Sequence, residues 1–358
     1  MWLLLTAFTA LLAIAWFGLV LINLAGVLAG SEKKYRNGQR GKVLAIVPCK
    51  GRDLTLERNL MSIKRQDYSR YDVVAVVDSA NDTAVRAIRK AGIKYIISSG
   101  RRAGGSGKVA AIVTAMRRFR NYDIYAVIDS DVQCIASHIS ELVAPLGDSR
   151  VGVSTAYPYF NPVGGFWSVV KMAWGFVGNG MMESKLTRFV WGGSMAFRNG
   201  LVRGSDFKVF GRALSDDMAI AHFAKKRGLR IAYVNKHTIV VNTNDNFRSF
   251  AEWSDRQTAL SILGSRKVLS YGLLFYGANI LLLVSGVALA FISPWYLVLL
   301  LPFAIGVLKT YRRARRPYLS LLPICVIINF IFFANLVIGA RMERIEWRGS
   351  KYRLENPF

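Results

Sequence analysis

The stretch Tyr125-Ala126-Val127-Ile128-Asp129-Ser130-Asp131 decides the fold that this 358-residue chain is predicted to adopt. Its first four residues form an apolar run typical of a buried strand, and two carboxylates follow around one spacer. Ligands of α/β sheets bind at such strand ends. Two carboxylates placed in this way can hold Mg²⁺ or Mn²⁺, whose other ligands are usually substrate phosphates. A solvated turn can have the same residues, so the interpretation depends on the rest of the chain.

The sequence around this stretch alternates between short apolar runs and longer segments with helical spacing. The runs rich in valine and isoleucine are residues 42–47, 72–77, 94–97 and 123–128. Helical spacing is found in residues 53–65, 82–91 and 106–120. Such alternation is typical of a largely parallel sheet covered by helices. We therefore predict an α/β domain over residues 31–265.

Apolar segments lie on both sides of this predicted domain. Residues 2–28 contain no charged side chain, and about 20 apolar residues are enough to cross a bilayer core. Because the segment lacks a basic N-terminal region, we predict a retained transmembrane anchor over residues 1–30 and no cleaved signal peptide. Further apolar runs predict membrane helices over residues 266–340, followed by a basic tail, residues 341–358. These runs are residues 269–292, 296–308 and 318–340.

The formal net charge of +26 has two interpretations, nucleic-acid binding and membrane association. The basic clusters lie beside the apolar segments, where cytoplasmic flanks of membrane helices collect Lys and Arg. These clusters are residues 32–36, 309–316 and 341–353. We therefore predict a multi-pass membrane protein with a cytosolic central domain and no nucleic-acid partner. The three cysteines lie far apart and form neither a disulfide framework nor a metal-ligand spacing, which agrees with the cytosol.

The topology of the C-terminal helices contains a conflict. If all three apolar runs cross the membrane, the basic tail lies outside, whereas its charge places it inside. We therefore predict one of two solutions. Either residues 318–340 form a hairpin or re-entrant pair, or residues 296–308 do not cross.

Carboxylates recur at the ends of predicted strands and at one helix start. Asp78 follows a strand and Asp82 lies four residues further on, while Asp216 and Asp217 begin an amphipathic segment. Any one of them can be an ordinary turn or N-cap residue, Asp216 in particular. Together they predict an acidic site at one sheet edge that suits a nucleotide diphosphate. One acid would bind the nucleoside, a pair would bind the metal, and one would act as general base towards the acceptor.

Two cationic residues are candidates for contacts with phosphate. Lys108 ends the stretch Gly104-Gly105-Ser106-Gly107-Lys108, where glycines allow the backbone to approach phosphate at a helix start. The stretch is not a Walker A sequence, and a flexible loop is the alternative. Arg256 precedes the membrane segments and can neutralise a leaving diphosphate. The aromatic segment 166–174 predicts either a buried helix or an interfacial helix beside which a lipid acceptor enters.

This series of motifs resembles family 2 glycosyltransferases and, within that group, the ceramide glucosyltransferase-like branch. The similarity runs from about residue 47 to residue 260 and resumes at the C-terminus. The order of the following motifs carries it: Pro48-Cys49-Lys50-Gly51-Arg52-Asp53, Glu57-Arg58-Asn59-Leu60, Gln66-Asp67-Tyr68 with Tyr71, Asp78-Ser79-Ala80-Asn81-Asp82, Asp129-Ser130-Asp131-Val132, Trp191-Gly192-Gly193-Ser194-Met195-Ala196-Phe197-Arg198, Ser215-Asp216-Asp217 and Trp347-Arg348-Gly349-Ser350-Lys351-Tyr352-Arg353.

The resemblance implies a GT-A-type α/β domain with a mostly parallel sheet. It implies a hexosyltransferase that moves a sugar from a nucleotide sugar, a UDP-sugar, to a lipid hydroxyl with inversion. Asp129 and Asp131 would hold the metal, Mg²⁺ or Mn²⁺, and Asp217 would be the base, with Asp216 as a further catalytic residue. The other implied roles are nucleotide-sugar binding for Pro48, Lys50, Asp78, Asp82, Lys108 and Asp129, a diphosphate contact for Arg256, and an acceptor-side position for Trp191, Gly193, Ser194 and Trp253.

One element departs from the family pattern. The usual Gln-x-x-Arg-Trp order is absent, since Trp253 stands first and Gln257 last around Arg256. The intact element is typical of processive synthesis, so this order favours transfer of a single sugar. A processive polysaccharide synthase and a non-catalytic basic membrane scaffold stay open as alternatives. An NTPase that uses the glycine loop is a third, weakened by the missing Walker residues.

Overall fold

The computed structural model describes residues 2–28, 41–234 and 238–355, so the basic cluster 32–36 lies outside the described residues. The chain divides into two compact units. We call the first the sheet unit, which comprises Ser31–Val163, Met181–Thr243 and Glu343–Phe358. We call the second the helical unit, which comprises Met1–Gly30, Gly164–Gly180 and Asn244–Met342.

The sheet unit contains all the described strands. In chain order they are β1 (Val43–Pro48), β2 (Tyr71–Val77), β3 (Lys94–Ile97), β4 (Ile124–Ile128), β5 (Val132–Cys134), β6 (Val151–Thr155), β7 (Tyr159–Pro162), β8 (Ser194–Arg198), β9 (Arg230–Tyr233), β10 (Ile239–Thr243), β11 (Arg344–Trp347) and β12 (Ser350–Arg353). Seven of them form the central sheet in the order β3-β2-β1-β4-β8-β6-β9. Every pairing in this sheet is parallel except those of β8 with β4 and β6. The predicted, mostly parallel sheet is therefore confirmed.

The order of the strands creates a switch point between β1 and β4. The chain runs outward from β1 to β2 and β3, and then returns to the other side of β1 with β4. Ligands of open α/β sheets bind outside the carboxyl ends of the strands at such a point. The residues that follow Pro48 and Ile128 therefore lie where a ligand is expected.

Helices cover the sheet because each has an apolar side. Those of the sheet unit are α2 (Leu56–Lys64), α3 (Ala84–Lys90), α4 (Gly107–Arg118), α5 (His138–Val143), α7 (Asp206–Phe210) and α8 (Asp216–Lys226). Ile112 and Met116 of α4 and Phe223 of α8 pack with Tyr125 and Phe197 of the sheet in one buried cluster. Full burial of such a side chain contributes about 1.5–3 kcal/mol. This core fixes the first turns of α4 and α8 at the sheet.

The helical unit contains the apolar segments predicted to enter the membrane. Its helices are α1 (Trp2–Leu28), α9 (Phe247–Gly264), α10 (Lys267–Ala290), a 3-10 helix (Pro294–Leu300) continued by α11 (Leu301–Arg313), and α12 (Leu321–Arg341). Helix α6 (Phe166–Glu183) begins in this unit and ends in the sheet unit. In the described part of the chain, four helices are long and apolar enough to cross a membrane. Large apolar side chains such as Ile14, Leu274 and Leu322 are exposed on them, as expected for contact with lipid.

The predicted hairpin in residues 318–340 is wrong, because α12 is one continuous helix from Leu321 to Arg341. Phe332 of α12 stacks on Tyr276 of α10 with ring centroids 4.7 Å apart. A Cβ on Gly339 would lie 3.1 Å from the backbone nitrogen of Ala259, so α12 and α9 pack closely. The segment 166–174 forms the start of α6 and has buried residues within it, which fits the buried-helix alternative.

Candidate active site

The site lies where the carboxyl ends of β1 and β4 meet. Asp53 in the loop after β1 accepts a hydrogen bond from the Ser130 hydroxyl, and the Asn59 amide donates to the Ser130 carbonyl at 3.0 Å. These bonds fix the central residue of the Asp129-Ser130-Asp131 triplet. They anchor the two flanking carboxylates at the switch point of the sheet.

Lys108 joins the two acidic pairs of the site. The first pair is Asp129 with Asp131, and the second is Asp216 with Asp217. Ser106 caps α4 by accepting a hydrogen bond from the Val109 amide, which places Lys108 in the first turn. The Lys108 ammonium lies 2.8 Å from Asp129 Oδ1 and 3.2 Å from Asp216 Oδ2. Its side chain is only 9% exposed. Burial lowers the pKa of Lys108, but the two carboxylates outweigh burial and raise it, so the bridge is ionic at neutral pH.

Asp131 is the member of the first pair that Lys108 does not bridge. Its Oδ1 atom is buried and has no hydrogen-bond partner among the described residues. Burial and the neighbouring Asp129 and Asp53 carboxylates raise the pKa of Asp131 to about 7. A buried acceptor without a donor is costly unless a cation satisfies it.

A divalent metal fits the chemistry of Asp129 and Asp131. Both supply carboxylate oxygens, which are the ligands that Mg²⁺ and Mn²⁺ prefer. Within residues 2–28, 41–234 and 238–355, no group of three or more His, Cys, Asp or Glu side chains forms a complete metal site. The two aspartates would therefore hold the ion together with oxygens of a bound diphosphate and water.

Asp217 is the member of the second pair that Lys108 does not bridge. Ser215 caps α8, and its hydroxyl donates to Asp217. The backbone amides of Met218 and Gly192 donate to the same carboxylate at 2.7 Å and 3.2 Å. Burial and Asp216 raise the pKa of Asp217 to about 6, while the Ser215 bond opposes that shift. At neutral pH Asp217 is therefore ionised yet ready to accept a proton, as a general base requires.

The predicted acceptor-side segment 191–198 is half loop and half strand, since β8 begins at Ser194. The Gly193 carbonyl accepts a hydrogen bond from the Asp129 amide at 3.0 Å. A Cβ on Gly192 would lie 2.8 Å from Asp216 Oδ2, so only glycine fits beside the second pair. The loop thus contacts both acidic pairs, and the Trp191 ring packs against Tyr157 at 5.8 Å.

Ser194 does not reach an acceptor surface. Its side chain is fully buried, and its hydroxyl is hydrogen-bonded to His138 Nε2 at 3.0 Å. His138 Nδ1 is in turn 3.0 Å from the Thr238 hydroxyl. Burial lowers the pKa of His138 to about 3, so the imidazole is neutral. The hydrogen bond between Ser194 and His138 joins β8 to α5 and so supports the loop that precedes Ser194.

The predicted nucleoside residues lie beside the loop that follows Pro48, the last residue of β1. Lys50 Nζ is 3.2 Å from Asp78 Oδ2, and both side chains are more than 40% exposed. Asp82 Oδ1 accepts hydrogen bonds from the Gly51 amide at 3.0 Å and the Ala84 amide at 2.8 Å. Asp82 therefore holds this loop and the start of α3, whereas Asp78 and Lys50 are accessible to a ligand.

The glycine loop does not present Lys108 to an open phosphate site. The Lys108 ammonium is taken up by two carboxylates, as described above. A Cβ on Gly105 would lie 2.2 Å from the Gly211 carbonyl oxygen, so this glycine allows two backbones to pack closely. Gly105 therefore serves packing, and the predicted approach of this backbone to phosphate stays a prediction.

Arg348 is a residue of the site to which the sequence motifs assigned no role. It lies in the turn between β11 and β12, and its guanidinium donates to the Lys50 carbonyl and to Asp53 Oδ1. The signal in the sequence was Arg348-Gly349, which resembles a two-residue hairpin turn. Both residues have positive φ, 48° and 71°.

Trp253 and Arg256 belong to α9 in the helical unit, whereas the acidic pairs belong to the sheet unit. Lys171 Nζ lies 4.5 Å from the centroid of the Trp253 ring, and the Trp174 ring lies 4.8 Å away. These contacts hold Trp253 within its own unit. The roles predicted for Trp253 and Arg256 stay predictions.

Comparison with known proteins identifies the family and the fold of the chain. The model of the family described as glycosyl transferase family 21 matches residues 5–357. Among solved structures, the mannosyltransferase PcManGT from Pyrobaculum calidifontis, in complex with GDP-Man and Mn²⁺, is similar with a TM-score of 0.57 and 18% identity. That alignment covers 93% of this chain and 96% of the other. It confirms the predicted GT-A-type fold.

Two structures of glucosyl-3-phosphoglycerate synthase from Mycobacterium tuberculosis are more distant. The complex with phosphoglyceric acid has a TM-score of 0.43 and 15% identity, and the alignment covers 66% of this chain and 86% of the other. The complex with Mn²⁺ and UDP-Glc has a TM-score of 0.41 and 14% identity over 63% and 79%. The predicted resemblance to family 2 is correct at the level of a GT-A-type glycosyltransferase, but the family that matches is family 21. This chain is a glycosyltransferase and belongs to glycosyl transferase family 21.

Proposed function

We propose that this glycosyltransferase is a membrane-bound, inverting, metal-dependent hexosyltransferase. It moves a sugar from a nucleotide sugar, most simply a UDP-sugar, to a lipid hydroxyl. The observation that carries the proposal is the pairing around Lys108. One aspartate of each acidic pair is bridged by this lysine, which leaves Asp131 for a metal and Asp217 for a proton.

The donor would bind at the carboxyl ends of β1 and β4. Asp129 and Asp131 would hold Mg²⁺ or Mn²⁺, which supplies positive charge to the diphosphate and makes it a better leaving group. Lys50 and Asp78 lie exposed beside the same sheet edge, where they can contact the nucleoside. Lys108 would act on the donor indirectly, because it holds Asp129 in place.

The transfer would be a single in-line displacement. Asp217 accepts the proton of the acceptor hydroxyl while the acceptor oxygen forms a bond to the anomeric carbon. The bond between that carbon and the diphosphate oxygen breaks at the same time, and the nucleoside diphosphate leaves with the electron pair. Attack from the side opposite the leaving group inverts the anomeric centre. The loop of Gly192 and Gly193 lies between the base and the Asp129 backbone, where the acceptor and the sugar would meet.

A lipid acceptor is supported by the four candidate membrane spans and by the motifs shared with the ceramide glucosyltransferase-like branch. We propose an anchor over residues 1–30, a cytosolic domain over 31–265, membrane helices over 266–340 and a cytosolic tail over 341–358. The tail belongs to the same compact unit as the central sheet, and a cytosolic position for both requires an even number of crossings between Asn244 and Met342.

The segment Pro294–Arg313 runs beside the anchor helix α1, because Trp16 Nε1 donates to the Val298 carbonyl at 2.8 Å and Lys309 Nζ donates to Asn23 Oδ1 at 3.3 Å. We propose that α10 and this segment cross and return, which keeps the basic cluster 309–316 in the cytosol. Helix α12, which packs closely on α9, would then lie at the interface without crossing.

Three alternatives make different predictions. A processive polysaccharide synthase of the same family would release long polymer, so the size of the product separates it from a single transfer. A non-catalytic scaffold would bind no nucleotide sugar. An NTPase would need Lys108 on its phosphates, and the two buried ion pairs of that lysine argue against it.

The test is donor binding to the full chain purified in detergent. A panel of nucleotide sugars that includes UDP-glucose, UDP-galactose and GDP-mannose is titrated with and without Mn²⁺. The last donor is included because the similar Pyrobaculum structure holds GDP-Man. Metal-dependent binding of one donor, lost in Asp129→Ala/Asp131→Ala, is the expected result. Binding of none of the donors by the wild-type chain would overturn the proposal.

A further inference from the structure

The C-terminal hairpin is part of the sheet unit and not a loose basic tail. Its strands β11 and β12 pair in antiparallel register, from Arg344 opposite Arg353 to Trp347 opposite Ser350. Ile345 and Tyr352 are buried, with 3% and 8% of their surfaces exposed. Arg101 lies over the Tyr352 ring at 5.2 Å. An anchored hairpin presents its turn residues in a defined place.

The turn of this hairpin lies against the loop that follows β1. The Arg348 guanidinium donates to Asp53 Oδ1 at 2.5 Å, and Asp53 also accepts from Ser130, the spacer between Asp129 and Asp131. At the start of β12, the hydroxyl of Ser350 lies 3.5 Å from Lys50 Nζ. The hairpin therefore borders the predicted donor site on two sides, at the metal residues and at the nucleoside residues.

The charges around Arg348 point to an anionic ligand. Asp53, Asp131 and Asp129 lie close enough to raise the pKa of Arg348 against the opposing effect of burial. A metal ion held by Asp129 and Asp131 would offset their negative charge, and a bound diphosphate would bring new negative charge to the same place. The Arg348 side chain is 32% exposed, compared with 9% for Lys108. Of the two cations, Arg348 is the accessible one, and a guanidinium has five N–H donors for phosphate oxygens.

We propose that Arg348 binds the diphosphate of the donor, so that the C-terminal hairpin forms a wall of the donor site. The inference rests on the proposed function and adds a residue to it. As the bond between the sugar and the diphosphate breaks, negative charge develops on the leaving oxygen. A fixed guanidinium beside it stabilises that charge. Arg348 then supplies, within the sheet unit, the role that the sequence motifs assigned to Arg256.

The experiment compares nucleotides that differ by one phosphate. Binding of UDP and UMP, and of GDP and GMP, is measured with Mn²⁺ for the wild-type chain and for Arg348→Ala and Arg348→Lys. We expect Arg348→Ala to weaken diphosphate binding by about 10- to 100-fold, the effect of losing a charge-assisted hydrogen bond, and to leave monophosphate binding unchanged. Arg348→Lys keeps the charge and recovers part of the loss. The value of kcat should fall as well, because the interaction strengthens in the transition state.

The matched control is Arg344→Ala, which removes an exposed arginine from the same hairpin. It should leave the ratio of diphosphate to monophosphate affinity at the wild-type value. If Arg348→Ala weakens both nucleotides equally, or neither, Arg348 only holds the hairpin and the inference is overturned while the proposed function stands. If the wild-type chain binds no nucleoside diphosphate, the proposed function and the inference both fail.

Discussion

The two acidic pairs of the site are both bridged by Lys108, but they differ in the hydrogen bonds of the aspartate that is not bridged. Lys108 bridges the first aspartate of each pair, Asp129 and Asp216, and does not bridge the second. The second aspartates then have different surroundings. Asp131 has a buried oxygen without a hydrogen-bond partner among the described residues, whereas Asp217 accepts hydrogen bonds from a hydroxyl and two backbone amides.

This difference separates a metal ligand from a base. An acceptor without donors is best satisfied by a cation, so Asp131 suits a metal. A carboxylate held by neutral donors keeps its orientation and can still take up a proton, so Asp217 suits proton transfer. The same residue type at similar spacing therefore has two functions, and the hydrogen-bond partners decide which.

The largest effect is expected from Asp217→Asn. The amide keeps the size of the side chain but cannot accept the proton, and a general base contributes about 10²- to 10⁴-fold in rate. We expect transfer to fall by about 10³-fold, with metal-dependent donor binding unchanged, as measured by single-turnover kinetics and by donor titration. Retained transfer would remove Asp217 from the role of base and the distinction between the two pairs with it.

The next largest effect is a loss of stability on substitution of Lys108, which bridges both acidic pairs. Lys108→Met leaves Asp129 and Asp216 without their cation, and breaking a buried ion pair in this way costs about 3–5 kcal/mol. For a chain of this size we expect the melting temperature in detergent to fall by about 6–12 °C.

The matched control is Lys50→Met, which breaks the exposed pair with Asp78. Both of those side chains are more than 40% exposed, so the loss should not exceed about 1 kcal/mol. Equal effects of the two substitutions would show that the Lys108 bridge is no stronger than a surface pair.

A third test separates the metal-binding role of Asp131 from the role of Asp217 as base. Asp131→Asn removes one ligand charge but leaves the Lys108 bridge intact. We expect Mn²⁺-dependent donor binding to weaken by about 100-fold, at the upper end of what loss of a ligand's supporting partner costs. Binding without metal should not change. If Asp131→Asn leaves metal dependence intact and Asp217→Asn abolishes it, the two assignments are reversed.

Much of the fold could be predicted because its signals are local. The runs that became β1 and β4 are continuous and apolar, as strands buried on both faces are, and so is β2 from Val74 to Val77. Because the runs of β2 and β4 end at Asp78 and Asp129, the positions of both aspartates at strand ends could be predicted as well. By contrast, β8 is not among the predicted strands, because nothing local to residues 194–198 shows that this segment pairs antiparallel with β4 and β6.

The parts of the site that escaped prediction depend on distant contacts. Lys108 looks like a phosphate ligand in its own segment, but its partners come from the end of β4 and the start of α8. Arg348 looks like one charge in a basic tail, and only the return of the chain to the loop after β1 places it beside Asp53. Ser194 was assigned to the acceptor side, and its burial against His138 could not be seen from the motif.

The smallest effect is expected from Ser215→Ala, which changes the surroundings of Asp217 without touching Asp131. The Ser215 hydroxyl stabilises the ionised carboxylate and lowers its pKa, so its loss should raise the pKa of Asp217 above about 6. The rate of transfer falls as pH drops through this pKa, because the protonated acid cannot act as base. We therefore expect the acid limb of the pH–rate profile to move to higher pH, with little change in rate on the alkaline side.

The control for this shift is Ser106→Ala. Ser106 caps α4 as Ser215 caps α8, and loss of either cap costs about 1 kcal/mol of stability. Only Ser215 contacts Asp217, so the two variants should melt alike while Ser215→Ala alone moves the acid limb. A limb that moves in both variants, or in neither, would mean that burial and Asp216 set the pKa of Asp217 without help from the hydroxyl. The contrast with Asp131 would then depend on the backbone amides of Gly192 and Met218 alone.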